Sequence, residues 1–71
     1  MMNQKEIGTR LRQLHGKESC KKIAQDLGIS KSALFMYERG ERMPRDEVKE
    51  KISKRYGMSV QSIFYDEFEH I

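Results

Sequence analysis

Between Ser30 and Gly40 the sequence reads SKSALFMYERG. A helix drawn through this stretch places Leu34 and Tyr37 on one face, with Lys31, Ser32, Phe35, Met36 and Arg39 on the other. The second set combines two cations, a hydroxyl and two large apolar groups. It holds donors and nonpolar surface without a nucleophile–base pair, so the chemistry it offers is recognition and not bond-making. No other stretch supplies the missing parts. There is no Ser/His/Asp or Cys/His arrangement and no glycine-rich phosphate loop, and His15 and His70 stand far apart. The chain is read as a non-enzyme with no cofactor and no small-molecule site. Asp66, Glu67, Glu69 and His70 carry metal-ligating groups, but at a chain end they read as a solvated acidic tip. Cys20, beside Lys21 and Lys22, could hold a thiolate at a helix start; the simpler reading is a small residue.

These residues are positioned by helices alone, since every periodic segment has helical spacing and none alternates like a strand. Asn3 with Glu6 resembles a capping box, after which Ile7, Leu11 and Leu14 recur up to Gly16. Gly8, inside that helix, disfavours it by ~1 kcal/mol relative to alanine and would permit a close helix crossing. Ser19 can cap a second helix carrying Ile23, Ala24 and Leu27, stopped by Gly28. Ser30 starts the third and Gly40 ends it. Pro44 suits the first position of a fourth helix, with Asp46 and Glu47 at its positive end and Lys54 and Arg55 at its negative end. Val48, Ile52 and Tyr56 form its apolar stripe, and Ser59 caps a short fifth helix with Val60, Ile63 and Phe64 inward. His15 falls where it complements the dipole of the first helix. The expectation is an all-α, compact five-helix bundle with very short loops.

Seventy-one residues make one small domain with a thin core. No apolar run approaches the ~20 residues of a membrane span, and the N-terminus lacks the apolar stretch of a signal peptide. The single cysteine excludes an internal disulfide and suits the cytoplasm. Residues 1–43 carry nine Lys/Arg against five Asp/Glu, and residues 44–71 five against six. A basic front with an acidic tail suits a polyanionic partner, and not a membrane.

Cys20 to Arg39 reads helix, short turn, helix, with Ala24 fifth, Gly28 ninth and Ile29 tenth. Two helices crossing at ~90–120° through such a turn need a small residue at the contact, which Ala24 provides. Gly28 supplies the positive φ and Ile29 plugs the angle. The second helix then projects, able to enter a DNA major groove. The stretch IAQDLGISKSALFMYERGERMP resembles the Cro-type (XRE) helix-turn-helix family of phage-repressor-like, λ-repressor-like DNA-binding domains. Ile23-Ala24, Gly28-Ile29-Ser30, Leu34, Glu38-x-Gly40 and Pro44 stand in the family's places. The likeness continues to Tyr56-Gly57-Met58-Ser59 and Ile63-Phe64, covering about residues 7–64 and leaving 65–71 as an acidic, aromatic tail.

The resemblance implies a small transcriptional regulator, most often a repressor on promoter DNA and often of prophage or mobile-element origin. It assigns base reading to Lys31, Ser32, Phe35 and Met36, on a recognition helix spanning 30–39. It assigns phosphate binding to Cys20, Lys21, Ser30, Arg39, Gly40 and Arg42, and an ion pair to Arg12 with Glu38. The family's reading positions are usually polar. Phe35 and Met36 are not, and the apolar target in a major groove is the thymine C5-methyl group. Homodimerisation on a palindromic operator is expected, with Ile63, Phe64, Tyr65 and Phe68 as the dimer face. The readings of another kind are a protein-interaction module on this fold, such as an antitoxin or adaptor, and a transcription-activating controller.

Overall fold

The computed structural model describes residues 3–65, and it is helical throughout. Helix α1 (Gln4–His15) begins at Asn3, whose Oδ1 accepts from the Glu6 N–H at 2.8 Å. Glu6 answers through the Asn3 side-chain amide at 3.0 Å instead of its backbone N–H. Helices α2 (Cys20–Leu27) and α3 (Lys31–Glu38) are each capped by a serine: Ser19 Oγ accepts from Lys22 N–H and Ser30 Oγ from Ala33 N–H. Between them Gly28 adopts φ 68° and ψ 33°. The turn closes with Gly28 N–H to Gln25 carbonyl at 3.1 Å and Ile29 N–H to Ala24 carbonyl at 3.0 Å. This pair of bonds is the Schellman arrangement, which satisfies the last carbonyls of α2 in the fewest residues.

Helix α4 (Asp46–Tyr56) starts later than its proline suggests. Arg45 is the N-cap, in an extended conformation (ψ 162°) that breaks the helix between Pro44 and Asp46. Pro44 therefore lies before the cap and not at the first helical position. It is buried, and a proline disfavours helical backbone at the residue before it. The last element, α5 (Gln61–Tyr65), is wound with the wider π spacing. Ser59 Oγ accepts from Ser62 N–H at 3.0 Å at its start.

The apolar stripes meet in one core. Ile7 and Leu11 of α1, Ile23, Ala24 and Leu27 of α2, and Leu34 and Tyr37 of α3 close on Ile52 of α4 and on Ile63 and Phe64 of α5. Burying an Ile, Leu or Phe fully is worth ~1.5–3 kcal/mol, so the eight such positions among these ten define the domain. Ile63 and Phe64 are 0% and 1% exposed. Inside the monomer they cannot serve as a dimer face, which corrects the expectation for these two. Tyr65 is half-buried and packed on the same core, and Phe68 lies outside the described residues, as do 66, 67 and 69–71. No helix among the described residues is long and apolar enough to cross a membrane.

Three cations tie the helices where the core is thin. Arg10 of α1 donates to the Ser62 carbonyl of α5, and to that of Ile63 at 3.4 Å. Lys49 of α4 is buried, donates to Tyr65 Oη at 3.1 Å, and lies 5.5 Å and 5.1 Å from the ring centres of Phe64 and Tyr65. Arg55 of α4 reaches Glu18 at 2.8 Å and Asp26 at 3.3 Å, joining α4 to α2 and to the turn before it.

The α1–α3 contact is made by backbone. A Cβ added at Gly8 would lie 2.5 Å from the Glu38 carbonyl oxygen and 2.9 Å from Gly40 N. One added at Gly40, which has φ 74°, would lie 2.8 Å from Lys5 Cα. The close crossing anticipated from Gly8 is thus between α1 and the end of α3. Gly8→Ala gains up to ~1 kcal/mol of helix propensity but drives a methyl into backbone that cannot rotate away. Net destabilisation of ~1–3 kcal/mol is expected, visible as a Tm fall of several degrees in thermal melts. An unchanged or raised Tm would show that the helices separate without cost.

Candidate nucleic-acid interface

Helix α3 divides its side chains as the spacing requires. Leu34 and Tyr37 are 3% and 8% exposed and face the core. Lys31, Ser32 and Phe35 are exposed and Met36 is half-exposed. Phe35, at 41%, is the one large hydrophobic residue left exposed among those described. A phenyl ring in water is unfavourable unless a partner covers it. The four residues assigned to base reading therefore share one outward surface, and Arg39 continues it one turn beyond Phe35.

The residues assigned to phosphate fall into two groups. Lys21, Arg39 and Arg42 are exposed cations, although Arg39 Nε lies 3.3 Å from Glu41 Oε2. That ion pair is open to solvent on both sides and holds Arg39 only weakly. Ser30 is exposed; its Oγ accepts from Ala33 at 3.0 Å while its O–H can still donate. Cys20 begins α2, where the first amides have no partner within the helix and favour an anion. Its side chain turns the other way, with Sγ 3.6 Å from His15 Nε2. Gly40 departs from its assignment. Its N–H goes to the Tyr37 carbonyl at 3.2 Å and its open side is filled by Lys5, so it serves packing and has no group to offer a phosphate.

The Arg12–Glu38 ion pair is absent. Glu38, 8% exposed, receives His15 Nδ1 at 2.6 Å, while Arg12 is exposed at the rim of the same site. His15 Nε2 lies 2.8 Å from the Glu18 carbonyl. A carbonyl only accepts, so Nε2 carries the proton of that contact, and Nδ1 faces the Glu38 carboxyl. His15 therefore bridges the turn before α2 and the end of α3, the two places expected to grip DNA. The dipole role expected for it is secondary to this bridge. A signal existed: Ile7, Leu11 and His15 are spaced by four and share the inward stripe of α1.

Among the described residues no group of His, Cys, Asp and Glu is arranged to hold a metal ion. The site is thus an outward helix row, flanking cations and a polar brace behind them. A family model described as helix-turn-helix matches residues 9–63, well over half of the chain. No curated protein and no solved structure matches it.

Removing one member of a buried polar pair leaves the other uncompensated, at a cost of ~3–5 kcal/mol. That is comparable with the whole stability of so small a domain, roughly 0.05–0.15 kcal/mol per residue. His15→Ala should accordingly unfold most of the protein in urea titrations at modest denaturant. Adding Glu38→Gln should restore part of the loss, with a coupling of about 1–3 kcal/mol in the double-mutant cycle. Strict additivity of the two changes would mean that the 2.6 Å contact carries no energy.

Proposed function

The chain belongs to the Cro/XRE-type helix-turn-helix family of DNA-binding regulators, and from that premise we propose that it is a sequence-specific repressor of transcription. It occupies promoter or operator duplex DNA with α3 in the major groove. The observation that carries this reading is the row Lys31, Ser32 and Phe35, exposed on a helix whose other face is fixed in the core by Leu34 and Tyr37. Phe35 and Met36 contact thymine methyl groups. Lys31 and Ser32 donate to base edges or to the adjoining phosphates. The amides at the start of α2, with Lys21, Ser30, Arg39 and Arg42, hold the sugar–phosphate backbone and set the register.

One module offers few contacts, and two copies related by a two-fold axis would double them. A homodimer on a palindromic operator, with half-sites ~34 Å apart, follows from that need. The dimer contact lies elsewhere than Ile63 and Phe64, which the core consumes.

Selection from random duplex DNA at stated salt tests the reading directly. Enrichment of a two-fold symmetric site with thymine at fixed places is expected, and recovery of no site would sink it. On the selected site Phe35→Ala should cost ~1–3 kcal/mol and flatten the thymine preference. Arg42→Ala should weaken all sequences alike and lower the slope of log K against log salt by about one.

A further inference from the structure

Beside the outward row of α3 runs a surface groove lined by Arg12, Phe35, Glu38 and Arg39. Its wall on one side is α1, brought in by Gly8. Lys5, Gly8 and Arg12 follow one another along the face of α1 that borders the end of α3. Because a glycine stands in the middle, α1 lies in backbone contact there, and Arg12 is carried to the edge of the surface that displays Phe35.

The charges in this groove are unequally committed. Glu38 would be the natural partner of Arg12, but its carboxylate is held by His15 at 2.6 Å and is almost wholly buried. Arg39 is shared with Glu41. Arg12 is exposed, and no ion pair within 4.0 Å involves it among the described residues. The contrast with the neighbouring arginine is direct, since Arg10 is spent on the carbonyls of α5. Two guanidinium groups therefore flank a partly exposed phenyl ring, and only one of the two has a counter-charge. An anion seated between Arg12 and Arg39 restores the balance. A guanidinium fork matches the oxygens of a phosphodiester better than any other group on this surface.

We infer that this groove receives a DNA backbone phosphate, with Arg12 of α1 as its principal ligand and Arg39 as the second, an inference that rests on duplex DNA being the partner. His15 is what makes it possible: by taking Glu38, it releases Arg12 to face outward. The phosphate is the one bordering the base pair under Phe35, so that α1 as well as the helix-turn-helix fixes the depth of α3.

The test uses the full chain and the site enriched from random DNA. Arg12→Gln should bind that site about tenfold more weakly at 0.1 M salt, as expected for the loss of one charge-assisted contact. Its slope of log K against log salt should fall by ~0.9, while Arg12→Lys, which keeps the charge, retains the wild-type slope. Circular dichroism melts check that the exposed substitution leaves the fold intact. Independently of any substitution in the protein, single methylphosphonate replacements can be walked along the DNA. One neutralised phosphate beside a thymine step should weaken the wild-type protein about tenfold and weaken Arg12→Gln, which keeps only the Arg39 contact, clearly less. Wild-type affinity and slope in Arg12→Gln, or no phosphate whose effect depends on residue 12, would overturn the groove assignment alone. Failure of the wild-type protein to bind any duplex at low salt would overturn it together with the functional reading.

Discussion

Helix α1 touches the end of α3 with no side chain between them. The Gly8 and Gly40 positions admit no Cβ without displacing the opposite backbone. Everything proposed for the outward surface depends on that approach, because α3 is only eight residues long and cannot hold its own orientation. Its serine cap and its glycine stop define where it begins and ends. Its angle is set by α1 at one end and by the Gly28 turn at the other. Two backbone junctions thus hold a short helix firmly enough to present Lys31, Ser32 and Phe35 in a constant arrangement.

Polar groups finish what a thin core begins. Ten buried hydrophobic residues suffice to bring the helices together, but sliding one helix past another costs little when the contact is a few methyl groups deep. Directional bonds resist that sliding. Arg10 fixes α5 to α1, Lys49 fixes it to α4, and Arg55 fixes α4 to α2. His15 joins the turn before α2 to α3 through two contacts with defined geometry. Each spans elements that are distant in sequence, which is where a small domain gains specificity from a hydrogen bond.

Much of this was legible from residue spacing. The inward stripes of α1, α2 and α3, the serine caps and the Gly28 turn all follow from local rules that act within a few residues. What escaped was decided by contacts across the fold. Pro44 satisfies the local rule for a first helical position, yet the chain places its ring in the interior and begins α4 at Asp46. Glu38 has an arginine at a plausible distance, yet a histidine one turn farther along α1 is on the inward stripe and reaches it first. Lys49 carries no local signal that sets it apart from the other cations of α4. It is buried because two aromatic rings at α5 accept its charge. Ile63 and Phe64, inward by their spacing yet also expected on a dimer face, are wholly taken up by the core. In each case the sequence shows the group but not the partner.

The division of α3 into an inner pair and an outer row also bears on how such a protein changes over time. Leu34 and Tyr37 hold the helix down, and neither lies in the outer row. Residues 31, 32 and 35 can be exchanged without opening a void or stranding a buried charge. New binding preferences can accordingly arise by drift at a handful of solvent-facing codons while the scaffold beneath stays constant, so descendants of one ancestor could diverge in target long before they diverge in shape.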